Sequence, residues 1–566
     1  MRTPINFKSA AGLFFLMIAM PACQKNKPAA PGASCPWTTY EAEAGKTNGT
    51  LLGPSRESLT AESEASGRKL VKLDADGQFV EITATKPANT IVVRYCIPDA
   101  PGGGGTDATL GLSVNGKPEK PLDLTSRYSW IYGDFPWSND PKHGKAHHFF
   151  DEAHAIIGNV APGDVIRLQK GAADKAAYYL IDLIELEQIA PPLPRPADSV
   201  SIVDFGAVPD SGRDASPALV KCLEAAKAQG KPVWIPEGEF RLDGPRIPVG
   251  NVKVRGAGMW YSKLAGSSPM FAGTGEPVEF SDLAIFGGID RRTDTSPDNA
   301  FDGNLGKGSL FQNLWIEHLK CGFWTTQGTE AMRVQGCRIR NIMADGLNFC
   351  GGTSRSVVEQ CHLRNTGDDA LATWSPNGNG TARIACVQNS FLNNTIELPW
   401  LANGIALYGG TGHLVARNKI TGTVFSGAGI LVSSGFEAVP FSGTIRVEDN
   451  TIADTGGDCY IGETVGGLWI HAKDSDIDAT ISVSGLRIAD SRHSAITVIG
   501  PKKVSRVDLA GIWIDGAGEY GIDIKAKASG SLHASGFHTA NCRLGPVHNG
   551  NPGQFQLDVA NDKAPN

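Results

Sequence analysis

Two adjacent aspartates, Asp368 and Asp369, sit in NTGDDALATWS (365–375), a stretch otherwise made of small and apolar residues. Strands are poor in Asp, and neighbouring carboxylates repel. A third, Asp345, lies in ADGLNFC (344–350). Carboxylates held close together push at least one pKa upward, leaving a protonated acid beside ionised bases. Cleavage of a glycosidic bond needs that combination: an acid for the leaving oxygen and a base for water. A lone Asp commonly makes turn hydrogen bonds, but three in register do not fit that reading.

The register comes from a repeat. A triplet ending in a large apolar residue begins at Leu283, Leu314, Cys337, Cys361, Asn389, Asn418, Asn450, Leu486 and Ile512. A second column of small residues trails it: Gly322, Gly346, Ala370, Gly404, Gly429, Gly467, Ala495 and Gly521. Two small-then-apolar strands per coil, with loops of variable length, predict a parallel β-helix whose coils bury their apolar faces only against each other. Coils of 23–24 residues are too short for the four-stranded blades of a propeller, which need about 40–45. The residues before the second column run Cys321, Asp345, Asp369, Asn403. Asp345 and Asp369 therefore fall on consecutive coils, about 4.8 Å apart. Asn348, Trp374, Trp400 and Tyr408 lie on the same two or three coils as candidate sugar contacts; for each alone, core packing is an equal alternative. Cys337 and Cys361 share an inward column and read as stacked apolar thiols.

Ahead of the solenoid, 37–189 reads as short alternating strands separated by turns, a β-sandwich pattern. RYSWIYGDFPW (127–137) groups Trp130, Tyr132, Phe135 and Trp137, either core residues or sugar platforms. APPLPRPADS (190–199) is a proline-rich linker. Ser216 and Pro217 start an amphipathic helix that Gly230 stops, and the solenoid is expected over 200–545, with a tail at 546–566. At the N-terminus, Arg2, Lys8 and the apolar run 10–20 form a signal peptide. MPAC, ending in Cys23, resembles a bacterial lipobox, which implies lipid attachment at Cys23 and an exported lipoprotein, at the outer membrane by analogy. Met20 stands where Leu is usual, so simple secretion is the alternative. Residues 24–36 are a polar tether. Cys35 and Cys96 are either a disulfide or two thiols. A net charge of −7 gives no basic footprint for nucleic acid.

The residues now carry a resemblance. ADGLNFCGGTSRSVVEQCHLRNTGDDALATWS (344–375) and CPWTTYEAEAG (35–45) resemble glycoside hydrolase family 87, the α-1,3-glucanases and mycodextranases, over nearly the whole chain beyond the signal segment. The resemblance implies an all-β chain, a right-handed parallel β-helix preceded by a β-sandwich. It implies an inverting endo-hydrolase of α-1,3-glucan or nigeran, a monomer needing no cofactor for catalysis. Asp368 would be the general acid, and Asp345 with Asp369 the pair that activates water. The sandwich also resembles carbohydrate-binding modules of the family 6 and 35 type, which implies a structural calcium on Glu41, Glu43 and Asp182; surface carboxylates are the plainer alternative. A polygalacturonase would be expected to show GHG and RIK motifs, and TGHLVARNK offers only His413. A glycan-binding lipoprotein without catalysis is the remaining rival, and an intact aspartate trio argues against it.

Overall fold

The computed structural model describes Met1 and residues 30–135, 137–376 and 384–560. The rest of the expected signal segment, Cys23 and most of the tether lie outside the described residues.

Residues 37–187 form two six-stranded antiparallel sheets. In Phe79–Thr83 and Val165–Gln169 every second residue is buried, as a pleat with one face on a core requires. Val80, Ile82, Ile166 and Leu168 meet Ile91, Val93, Ile181 and Ile184 in that core. The strand Tyr179–Glu187 is different: all nine of its residues are buried, because its outer face lies against the solenoid. Cys35 and Cys96 are free thiols, the former only partly buried.

The helix Ser216–Gln229 has Pro217 in its first turn and ends at Gly230, whose φ of 63° is the left-handed cap glycine adopts without strain. Its apolar face shares one continuous core with the first solenoid strands, closing that end of the stack. The solenoid itself is two parallel sheets, of 22 and 12 strands. Most coils give two strands to the first sheet and one to the second. The small-residue column is in register throughout: Phe323, Leu347, Leu371, Ile405, Ile430, Leu468, Ile496 and Ile522, which follow it, pair in sequence. Cys337 and Cys361 stack inside, with the Cys337 amide donating to the Cys361 thiol sulfur.

Three expectations are corrected. In the other column the coil partner of Cys361 is Asn394, not Asn389. Thr395–Glu397 pairs with His362–Arg364, while Ser390–Leu392 pairs with the neighbouring strand Val357–Glu359. NSF and NTI carry the same small-then-apolar signature five residues apart, so spacing alone cannot separate them. The correct register aligns Asn394, Asn418 and Asn450, whose side-chain amides each donate to the next. Residues past 545 are not all tail: Gly545–Asn549 and Phe555–Val559 pair with the preceding coil and complete the stack. The end of the tether is docked, with the amides of Gly32, Ala33 and Ser34 donating to Arg417, Thr395 and Gln360 on the solenoid.

The sandwich is bolted to the solenoid by buried charge. Arg340 and Arg364 are register partners on consecutive coils, so two guanidinium groups stack with no solvent between them. Glu152 and Glu185 from the sandwich accept from both, at 2.7–2.9 Å. Burial opposes ionisation of Glu152, but Arg364 and Arg340 beside it win and hold it below the usual carboxylate range. Arg338 adds Glu187 at 2.7 Å. Removing one partner of a buried pair costs about 3–5 kcal/mol, because the other charge stays uncompensated. Glu152→Ala is therefore expected to cost about that much. It should lower a single cooperative transition in chemical denaturation; two separated transitions would show that the sandwich unfolds independently.

Candidate active site

Asp345 and Asp369 each occupy the corner just before a strand of the 12-stranded sheet, Leu347–Cys350 and Leu371–Trp374, and Leu347 pairs with Leu371. The corner is tight: a Cβ on Gly346 would lie 2.5 Å from the Ala370 carbonyl oxygen. Chain direction into both corners is set by Asn341 and Asn365, at φ of 50° and 60°, a region Asn tolerates better than most residues. Asn365 donates to Asn341 Oδ1 at 2.9 Å and to the Phe150 carbonyl of the sandwich at 3.0 Å. The bend three residues before Asp368 is thus anchored to the other domain.

One oxygen from each of Asp345, Asp368 and Asp369 lies within 4.8 Å of the others, and among the described residues no other three acidic, His or Cys side chains converge this way. Asp345 and Asp369 are 6% and 3% exposed, whereas the Asp368 side chain keeps 29% of its surface. Asn348 donates to Asp345 at 2.8 Å. Asp369 accepts from the Asn403 side chain at 2.7 Å and from the Tyr408 hydroxyl at 3.0 Å. Burial, then the charges of Asp368 and Asp369, push the Asp345 carboxyl well above its ordinary range. Burial, then Asp368, push Asp369 up to about 7. Burial and the aspartates likewise keep Tyr408 a protonated donor. Both shifts favour a proton on the buried pair, and such a proton belongs to the cluster more than to either residue.

Arg292 was not among the candidates. It donates to Asp368 at 2.5 Å, to the Gly367 carbonyl at 3.0 Å and to Asp294 at 2.6 Å, and its guanidinium lies over the Trp137 ring of the sandwich. It sits on an inter-coil loop outside both repeat columns, so periodicity carries no trace of it. With Trp324, Trp374, Phe436 and the residues above it lines an open cleft of about 250 Å³.

Asn348, Trp374 and Tyr408 line this cleft as expected, and Asn348 Oδ1 is buried there without a protein partner. Trp400 does not line it. At 1% exposure it packs against Trp137, His147 and His148 at the domain interface. Trp130 and Tyr132 are tied to the Ile97 carbonyl and to Asp99 within the sandwich, while Trp137 faces Trp400 and Arg292 of the solenoid. His413 is fully buried and accepts from the Asn389 amide, away from the cleft. Glu41, Glu43 and Asp182 do not converge as three ligand atoms among the described residues. Glu41 Oε2 and Glu43 Oε2 are buried without a protein partner, while Asp182 accepts from Arg94 and the Ser66 amide.

Models of the α-1,3-glucanase catalytic domains D1 and D2 match residues 34–189 and 215–551. The chain belongs to the α-1,3-glucanases of glycoside hydrolase family 87. The crystal structure of the Agl-KA catalytic domain is 29% identical, with a TM-score of 0.85, over 94% of this chain and 99% of that one. The family-87 catalytic unit from Streptomyces thermodiastaticus is 34% identical, with a TM-score of 0.81, over 93% and 96%. A further family-87 catalytic domain is 25% identical, with a TM-score of 0.82 in the first of two forms, over 94% and 99%. Those two forms each carry an aspartate-to-alanine substitution, one in complex with tetrasaccharides and one with nigerose, at positions 24 residues apart. The chain spans only 16% and 26% of two curated relatives. These are Alginate lyase 7 of Azotobacter vinelandii, 32% identical over 21% of this chain, and the pre-neck appendage protein of Bacillus phage B103, 25% identical over 40%.

The raised carboxyls of the family-87 site have a stability consequence. An Asp whose folded pKa exceeds its unfolded value of about 3.9 binds more protons folded than unfolded between the two, so stability falls as pH rises through that window. For Asp369 the window runs from about 4 to about 7. The Tm of Asp369→Asn relative to wild type is expected to improve from pH 4 to pH 8. A mutant-minus-wild-type Tm that stays flat or falls in thermal unfolding across that range would contradict the burial assigned to this carboxyl.

Proposed function

We propose that this chain is an endo-acting, inverting hydrolase of α-1,3-glucosidic linkages, in α-1,3-glucan or nigeran. The observation that carries the reading is the division of labour in the aspartate trio: one carboxylate faces the cleft while two are buried together on its floor, where burial and their mutual repulsion favour the protonated form. Family membership and the relatives' complexes with nigerose and tetrasaccharides supply the substrate class. The two substituted aspartates of those complexes have the separation of Asp345 and Asp369.

Asp368, the exposed member, reaches the leaving glucosidic oxygen and protonates it. In the free enzyme it is held by Arg292, so substrate must displace that contact. The proton stored on the buried pair passes to Asp368, and the pair, now ionised, takes a proton from water as its oxygen bonds to the anomeric carbon. Asn403, Tyr408 and Asn348 hold the pair in place. Inverting enzymes usually separate acid and base by about 6.5–9.5 Å and retaining ones by about 5–5.5 Å. The closest oxygens here are nearer than either, so separation does not select an outcome. Burial does: carboxylates on the floor bonded to Tyr408 and Asn403 are better placed to orient water than to form a covalent bond to a sugar. Aromatic residues on both sides of the trio, Trp324 on one and Tyr408 and Phe436 on the other, favour attack within a chain over attack at its end.

The test is reducing-sugar release from insoluble α-1,3-glucan and nigeran, with proton NMR of the first anomer formed. Wild type should release the β-anomer first, and Asp345→Asn, Asp368→Asn and Asp369→Asn should each fall by at least about 10²-fold, the lower bound for general acid–base catalysis. An α-anomer would replace inversion by retention; inactivity on both glucans would sink the substrate assignment. Export and anchoring through Cys23 belong to the proposal, supported by the n-region, the apolar run and MPAC. Cys23→Ser should move the protein from the membrane fraction to the soluble one in a detergent-free extract.

A further inference from the structure

Beyond the trio, towards the C-terminal coils, the cleft runs on to two exposed aromatics. Phe436 and Tyr460 keep 46% and 56% of their surface in water. Most large apolar side chains of this solenoid are inside, and single exposed ones need no explanation. These two form a pair, with ring centroids 5.8 Å apart, and Phe436 meets Tyr408 edge-on at 5.3 Å. Lys473 sits over both rings, 5.0 and 5.3 Å from their centroids, and makes no ion pair among the described residues.

The backbone is held in an unfavourable form to present them. Phe436 and Glu437 are consecutive non-glycine residues at φ of 55° and 52°, a conformation L side chains adopt only under constraint. The turn is fastened by Trp374 Nε1, which donates to the Phe436 carbonyl, and by Asp474, which accepts from the Glu437 amide. Trp374 stands on the same strand that Asp369 precedes, so this turn is tied to the catalytic coil. The ring cluster continues inward from Tyr460 through Trp469 to His471, so the exposed pair rests on a buried aromatic base.

We propose that Phe436, Tyr460 and Lys473 form a pyranose-binding platform, a distal subsite that holds the glucan chain on the C-terminal side of the cleavage point. The pyranose ring has an apolar face for an aromatic platform and a rim of hydroxyls for the lysine ammonium. Phe436 lines the cleft beside the trio, and Tyr460, which precedes a strand three coils beyond that of Asp369, continues it towards the C-terminal coils. Longer glucan chains therefore cover more of the platform than short ones do. The position of this subsite relative to cleavage rests on the function proposed for the trio, but its capacity to bind sugar does not.

Two measurements test it on the full chain. In the first, kcat/KM is followed over α-1,3-linked gluco-oligosaccharides of increasing length. Wild type should climb with length, and Phe436→Ala/Tyr460→Ala should lose at least tenfold more on the longest than on the shortest cleaved substrate. Phe436→Tyr/Tyr460→Phe, which keeps both rings, should restore the climb. A double-alanine variant with the wild-type length profile overturns the platform. In the second, binding of the longest oligosaccharide is measured by calorimetry in the Asp369→Asn background. A tenfold or greater weakening by the double-alanine change supports the platform even if wild type proves inactive on α-1,3-glucan, the failure that belongs to the function proposal. Unchanged binding, or none in either protein, overturns it.

Discussion

Equivalent residues on consecutive coils of a parallel solenoid must stack, one inter-strand step apart, and most of this molecule is a response to that constraint. Where the stacked residues are apolar the result is a core. Where they are asparagines, at 394, 418 and 450, the side-chain amides chain together and the buried polar groups are satisfied. Where they are charged, stacking brings like charges together in low dielectric, which is tolerable only if something neutralises them or function needs the conflict. A case of each kind is present among the described residues, Arg340 over Arg364 and Asp345 over Asp369, and they lie on the same two coils.

The first case is Arg340 over Arg364. Neither can escape to water, since both are fully buried, and the solenoid offers them Glu397 alone among the described residues, 3.2 Å from Arg364. The sandwich does, through Glu152 and Glu185. This accounts for a domain that reads in sequence as an accessory module but behaves as a structural half of the catalytic unit. Its strand Tyr179–Glu187 can be buried on both faces only because its outward carboxylates have guanidinium partners waiting. The second case is Asp345 over Asp369, with Asp368 beside them. Among the described residues no cation bonds the buried pair; Arg292 bonds the exposed member and acts on Asp345 only as a lesser, opposing charge. Burial and the remaining repulsion favour a proton on the floor of the cleft. The two conflicts are connected, because Asn365, one residue past Arg364, bonds the sandwich and sets the bend that delivers Asp368 and Asp369.

What sequence reveals follows the same division. The column of small residues before an apolar strand was legible at all eight positions, because the corner it occupies is too close to the next coil for bulk, and that demand recurs each turn. The aspartate trio was legible for the same reason: it falls at fixed offsets in that column. The other column was misread at one coil, where two strands a few residues apart share a signature and only pairing distinguishes them. Trp400 looked like a cleft residue because it shares coils with the site. Which side of a coil an aromatic faces depends on what is docked there, and the sandwich covers that side. Arg292 and the Phe436–Tyr460 pair were beyond reach, since they come from inter-coil loops that obey no period and act on residues far away in the chain.

The loops are also where a solenoid of this kind can vary without cost to its core. The strand register sets Asp345 over Asp369 and the bend before them delivers Asp368, and chemistry by oriented groups demands such fixed placement. Substrate choice has the opposite requirement, because it must change while the trio stays still. Placing Phe436 on a turn with two strained residues meets both needs. The strain is local, it is repaid by hydrogen bonds from Trp374 and to Asp474, and the coil beneath is unaffected. A longer or shorter turn there would alter how far along a glucan the enzyme reads and leave the proton chemistry of the buried aspartates as it is.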